Sequence, residues 1–379
     1  MLIIHRLGIG PAIVLVMLIM IVVTRAEAQA PSNAWPMYRG DAAGTGVSGG
    51  NLPPRLFEQW RHRERGIQFQ SSASICNGVV YIGGSTGKLL ALELATGKLR
   101  WQTQLAGGIT AAPICHQDRL LIGDLAGEFH CLDATTGRPL WSLTTGGEIA
   151  AGPAMRDGQV LFGSQDKWLY CVAADTGELK WKLEFDDQIR CCPAIVERFA
   201  LVSGCDASLH VIDLTLGQTK VKVPLDGPTG ATPAVVGETA FLGTAGGALY
   251  GVDWRKGTVR WTRRMAIGTP GFRGSVAANK ELVVAGGRNG RIVALAAESG
   301  DVCWTFVARE RVDASPVIVN DRVFVGSADG RLYELHLSTG SKLNEFDLGS
   351  PISGSAAVVS DWLVVATENG RVYGFGANR

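Results

Sequence analysis

The chain has 379 residues, 46% of them hydrophobic but only 7% aromatic, and 49 are glycine. Its 36 lysines and arginines meet 35 acidic residues, for a net charge of +1. That balance argues against sequence-independent nucleic-acid binding, which needs a basic face. The glycine content suits many short strands joined by tight turns.

Residues 1–28 read as an export signal. His5 and Arg6 make a weakly basic start, Leu7–Val23 is an almost unbroken apolar run, and Ala26-Glu27-Ala28 fits a small-x-small cleavage site. Cleavage there leaves Gln29 as the first mature residue. Left uncut, the apolar run approaches the length of a membrane span and acts as an anchor. No cysteine lies near the site, so a lipoprotein anchor is not available. The expected location is the periplasm or cell envelope. Residues 29–54 form a lead-in containing Trp35-Pro-Met-Tyr-Arg-Gly40.

From residue 55 to the end the chain repeats. Tryptophan recurs at Trp60, Trp101, Trp141, Trp181, Trp261 and Trp304, and the register passes through Val221 and Asn344, where it is replaced. A fixed period of about forty residues marks supersecondary units that must stack to bury their apolar faces. The units begin near Ser72, Ala112, Gly152, Cys192, Thr232, Ser275, Ser315 and Ser355. Each holds three short apolar runs, then a Thr-Gly-type turn and a fourth run with the tryptophan. Four strands per unit and no helix predict an all-β propeller of four-stranded antiparallel blades. The last unit, residues 353–379, stops after its third strand, and Leu56–Arg61 supplies the missing fourth. The prediction is therefore eight blades over residues 55–379, closed by an N-terminal strand so that no sheet edge is left at a seam.

Several columns of the repeat carry chemistry. Gly97, Gly137 and Gly177 close the third-to-fourth strand turn, and Glu93, Asp133, Asp213 and Asp253 are placed to cap it. On the third strand His130 and His210 alternate with Tyr170, Tyr250, Tyr333 and Tyr373, which predicts packing histidines rather than metal ligands. Cys131 and Cys171 share a column with Val211 and Ala294, the pattern of buried small residues rather than of a disulfide framework. No phosphate loop, zinc-spaced set or Ser/His/Asp order is present, so no catalytic or metal residues are predicted.

The starts of the innermost strands define one mouth of the central channel. Thr110, Ala150, Gly230 and Ser353 are small or neutral there, whereas Arg190, Arg273 and Asp313 are charged, with Glu148 and Arg311 close by. Arginine suits carboxylate or phosphate groups. The set reads either as a self-neutralising rim or as a pocket for an anionic ligand or acidic peptide. Cys191 and Cys192 belong to the same region, in a column otherwise filled by Ala111-Ala112, Ala151-Gly152 and Ala231-Thr232. The candidate ligand-binding residues are thus Arg190, Cys191, Cys192, Arg273, Arg311 and Asp313.

The pattern Ala91-Leu-Glu-x-x-Thr96-Gly-Lys-x-x-Trp101, repeated through Trp141 and Trp181, resembles the tryptophan-docking repeat of pyrroloquinoline quinone (PQQ)-like propellers. The resemblance implies that the tryptophan rings stack between blades. The family includes quinoprotein dehydrogenases and non-catalytic, BamB-like scaffold members. The dehydrogenases interrupt their repeats with long insertions and hold Ca²⁺ with carboxylate and amide oxygens. Here the largest departure from the period adds three residues, in Met265–Phe272, and no such cluster is evident. The expectation is a non-catalytic, BamB-like protein-binding or assembly scaffold: a monomer, with envelope proteins as partners, no nucleic acid and no cofactor. Membrane contact would come only through an uncleaved segment or a membrane-bound partner. The alternative is a dehydrogenase or sensor binding PQQ with Ca²⁺. Cys191-Cys192 favours it, because many quinoprotein alcohol dehydrogenases carry an adjacent-cysteine disulfide near the quinone.

Exported protein is expected to begin at Gln29 on N-terminal sequencing. A full-length mass in the membrane fraction would instead identify residues 7–23 as an anchor.

Overall fold

The computed structural model describes residues 34–265 and 271–378. The export-signal reading of residues 1–28 lies outside the described residues, as does most of the Met265–Phe272 insertion.

The first blade shows how each unit folds. Its strands are Ser74–Cys76, Val79–Gly83, Lys88–Glu93 and Leu99–Gln104, paired antiparallel in chain order from the channel outward. The two middle strands are covered on both faces by neighbouring blades, so their sequences are near-continuous apolar runs. The outermost strand has solvent on one side and alternates exposed with half-buried residues. Six more units repeat this plan. The eighth sheet combines Ala357–Val359, Trp362–Thr367 and Arg371–Gly376 with Phe57–Arg63 as its outermost strand. The ring is an eight-bladed propeller closed by its own N-terminal strand, as the repeat register predicts.

The tryptophans join blade to blade. Trp101 Nε1–H donates to Ala134 O at 2.9 Å, across to the next blade, and its ring covers Gly137. Trp141, Trp181, Trp261 and Trp304 make the same bond to Ala174, Leu214, Ala297 and Leu337. Trp60 does so across the seam, bonding Leu94 O at 2.7 Å and covering Gly97. The turn glycine is required twice over: its φ is positive (+67° at Gly97, +72° at Gly137) and a Cβ would overlap the indole.

The cysteine column has its explanation in the same contact. The residue opposite each tryptophan in register is small: Ala91, Cys131, Cys171, Gly251, Ala294 and Gly374. A Cβ on Gly251 would lie 2.5 Å from the Trp261 ring. Where the tryptophan is lost, the constraint is lifted: Val211 faces Val221, and Glu334 faces Asn344. Glu334 is buried and paired with Arg322 at 2.9 Å.

The lead-in is part of the fold rather than a preface to it. It runs along the inside of the channel and meets the innermost strands in blade order. Ile75 N–H donates to Trp35 O, Cys115 to Pro36 O, Ile195 to Ala42 O, Val235 to Ala43 O, Ala278 to Thr45 O and Ile318 to Gly46 O, at 2.6–2.9 Å. Val47–Ser48 then pairs parallel with Ile318–Val319, and Asn51 N–H reaches Ser360 O in the last blade. This path is not legible in the repeat pattern, because a segment that occurs once has no period.

Truncating a buried aromatic costs about 3–5 kcal/mol, so Trp60→Ala should destabilise the protein as much as Trp141→Ala in denaturant melts. Deleting residues 55–66 should add self-association, visible by light scattering, because the Arg371–Gly376 edge is then open to another chain. A monomeric deletion variant with a wild-type midpoint would show that the seam closes without this strand.

Candidate functional site

Just above the lead-in, the column of unit starts forms a hydroxyl girdle. Cys192 N–H donates to Thr232 Oγ1, Thr232 N–H to Ser275 Oγ, Ser275 to Ser315, Ser315 to Ser355, and Ser355 to Ser72, at 2.8–3.2 Å. Each hydroxyl satisfies a buried backbone donor of the preceding blade. Ala112 and Gly152 lack a hydroxyl, and on that side Tyr38 enters. A Cβ on Gly152 would lie 3.5 Å from Tyr38 Cβ, while the Tyr38 hydroxyl is 2.8 Å from Ser315 Oγ. Tyr38 therefore spans the channel from the third blade to the seventh.

Arg39 follows it into the interior, 1% exposed, with φ +65°. Its Nη2 donates to Val276 O at 3.1 Å and Pro316 O at 2.6 Å, while Nε and Nη1 have no partner among the described residues. Burial lowers its pKa from the ordinary arginine value, opposed by the nearby Tyr38 and Asp41. Gly46 packs directly on the guanidinium, where any side chain would collide.

Above this floor the predicted rim residues fall into two groups. Asp313 is ion-paired with Arg311 at 3.0 Å and with Arg288 at 3.1 Å. Arg190 lies elsewhere on the rim, donating to Gln188 Oε1 and Gln165 Oε1, and Gln165 in turn donates to Glu148. Arg273 is exposed and has no hydrogen-bond or ion-pair partner among the described residues. Arg288, Gln165 and Gln188 were missed in the sequence. Arg288 and Gln165 sit in second-to-third strand hairpins, which share the face of the inner-strand starts. That shared face is the signal that could have found them. Exposed pairs of this kind contribute about 0–1 kcal/mol each, so the rim is held by the fold rather than holding it.

Cys191 and Cys192 are not presented at the mouth. Both thiols are free and buried, 1% and 4% exposed, among Ile189, Ile195 and Val202. Cys192 Sγ donates to Pro153 O at 3.3 Å. Burial pushes the Cys191 pKa up to about 11 and that of Cys192 higher still. The sequence placed the pair among ligand-facing residues; the structure places it between blades, because a column this close to the axis has room only for small side chains.

His130 and His210 on their third strands each face a hairpin aspartate of their own blade. His130 Nε2 is 3.0 Å from Asp124 Oδ2 and His210 Nε2 is 2.8 Å from Asp206 Oδ2, as Tyr170 and Tyr333 bond Asp166 and Asp329 at 2.6 Å. Asp124, Asp166 and Asp329 also cap their own hairpins, accepting backbone N–H bonds from Ala126, Trp168 and Arg331. All three take a further backbone N–H from the linker entering the blade. The turn-cap reading of the other acidic column holds too: Asp133 Oδ1 accepts from Thr135 and Thr136, and Asp253 Oδ1 from Lys256.

The sequence profile of the outer membrane protein assembly factor BamB family matches residues 56–115, 105–188, 126–269 and 263–378. Among solved structures, BamB from Moraxella catarrhalis is 18% identical with a TM-score of 0.74, covering 86% of this chain and 98% of that one. The quinohemoprotein alcohol dehydrogenase of Comamonas testosteroni is 15% identical with a TM-score of 0.77, covering 93% and 82%. A europium-containing methanol dehydrogenase is 12% identical at a TM-score of 0.77, covering 91% and 98%. At these identities the likeness shows the fold alone. Comparison with curated protein sequences returns no match.

Native protein treated with iodoacetamide at mildly alkaline pH should label the exposed Cys303 first. Cys191 and Cys192 should stay unlabelled until denaturant is added. Peptide mass mapping checks this, and labelling of the pair at the rate of Cys303 would place it in contact with solvent.

Proposed function

This chain belongs to the outer membrane protein assembly factor BamB family of PQQ-like propellers, and from that premise we propose that it is an exported, non-catalytic scaffold that binds an envelope protein through the rim of its channel. The observation that carries this reading is the filled channel. Tyr38 and Arg39 occupy the space beneath the rim, so the face offers side chains to a partner rather than a chamber to a small molecule.

The rim residues do not fit a Ca²⁺-bound quinone. Asp313 is the more enclosed of the two predicted rim carboxylates, and two arginines hold it. Ca²⁺ takes six or more oxygen ligands, and the described rim gathers no such set. The adjacent cysteines, the feature that favoured a quinone, are interior packing residues. A partner with acidic side chains suits the exposed Arg273 and the outward-facing Arg190.

Two measurements test the proposal. Added PQQ and Ca²⁺ should give no dye-linked oxidation of alcohols or sugars; turnover would replace the scaffold reading with a dehydrogenase. Cross-linking in intact cells should recover a specific envelope partner, and recovery should drop with Arg190→Glu/Arg273→Glu but not with Arg138→Glu on the opposite face. Equal recovery from all three proteins would remove the rim as the binding surface.

A further inference from the structure

The hairpin aspartate and its third-strand partner recur around the ring, but the second blade adds a third group. Two residues before His130 stands Glu128. At the equivalent position Lys88, Arg291, Arg331 and Arg371 are basic, and the other three blades carry neutral residues. Oxygens of Asp124 and Glu128 and a ring nitrogen of His130 all lie within 4.8 Å of one another. His130 Nε2 is 3.0 Å from Asp124 Oδ2 and 3.9 Å from Glu128 Oε2. Among the described residues no other trio of Asp, Glu, His or Cys converges this way.

The fourth blade is the internal comparison. It has the same aspartate–histidine pair, but Ser208 replaces the glutamate and the Lys222 amine sits 3.1 Å from Asp206. Lys222 lies opposite His210 in the strand register; the residue opposite His130 is Ser142. So the second blade gains a carboxylate and lacks the ammonium that neutralises the fourth. No lysine or arginine pairs with Asp124 or Glu128 among the described residues. The trio also has access: Glu128, His130 and Ser142 line a groove of about 440 Å³ between the first two blades, with Thr103 and Gln104 on its other wall.

We propose that Asp124, Glu128 and His130 form a binding site for a divalent transition metal of the Zn²⁺ or Co²⁺ type, with a free coordination position facing this groove. Ligand atoms bonded at about 2.0–2.2 Å in tetrahedral or tighter geometry lie roughly 3.0–3.5 Å apart. The Asp124–His130 pair already meets that spacing. Asp124, wholly buried, is fixed by N–H bonds from Gly107, Ala126 and Glu128, and Glu128 is exposed enough to swing inward. The metal takes the place of the proton between Nε2 and Oδ2, and the imidazole adopts its Nδ1–H tautomer. One imidazole with two carboxylates selects borderline metals over the all-oxygen preference of Ca²⁺ and Mg²⁺.

The repeat supplies its own controls, because tyrosine fills the His130 position in the third and seventh blades with the same aspartate bond. Chelator-treated protein is titrated with Zn²⁺ by calorimetry and with Co²⁺ by visible absorption. The wild type and His210→Tyr should bind one ion per chain. His130→Tyr and Glu128→Gln should each weaken binding by roughly tenfold or more, with unchanged thermal melts in the absence of metal. Binding equal in all four proteins, loss in His210→Tyr alone, or no saturable binding by the wild type would overturn the site.

Discussion

The innermost strand of every blade is an edge strand, and eight such edges face one another around a narrow axis. Their inward N–H groups have no sheet partner and little water, and a buried unpaired donor costs on the order of 1–3 kcal/mol. Two devices meet this demand here. The lead-in passes its carbonyls to the edges of the first, second and fourth to seventh blades in order, and the girdle hydroxyls take further donors. Both fill the axis. A propeller that solves its inner-edge problem with its own chain has little axial space left for a ligand, which moves the functional question to the rim and the grooves between blades.

At the outer end of six of the eight blades the tryptophan sets a second constraint, and it reaches three residues at once. It needs a glycine in the next blade's turn, a carbonyl there to receive Nε1–H, and a small residue opposite it in its own sheet. The small opposite residue is lost with the indole, as Val211 facing Val221 shows, whereas the turn glycine can persist, as Gly257 does against Val221. Where Asn344 replaces the indole, its neighbour Glu334 becomes a buried acid, and Arg322 joins it to the backbone of Leu52 and Pro53. In place of the inter-blade indole, this blade gains a contact that ties the lead-in to it.

Most of the fold was legible because it is written several times. The strand pattern, the eight blades and the role of Trp60 at the seam all follow from register, and one degenerate copy does not obscure the others. The columns also exposed the turn caps. What occurs once was not legible. Tyr38 and Arg39 look like ordinary lead-in residues, and only the left-handed φ of Arg39, Gly40, Gly44 and Gly46 betrays a chain bending around an axis. The serine column was visible as a marker of unit starts, but its hydrogen bonds run between blades and cannot be read along one. For the same reason the rim was half seen. Arg190 and Asp313 stand out in their column, whereas Gln165 and Arg288 come from hairpins of preceding blades.

The lead-in touches the first blade and the last, and so does the strand that carries Trp60. Both lie near the N-terminus, so they are synthesised early and cannot reach their final partners until the final blade has been made. Seating them requires contacts separated by some three hundred residues in sequence, such as Ser48 with Val358 and Asn51 with Ser360. Contacts of that range are slow to form. Until then the growing array must hold an open inner edge and an open outer seam, so its maturation is all-or-nothing with respect to chain completion. A chain truncated before its last blade would leave both ends of the ring exposed for a protease or chaperone to find.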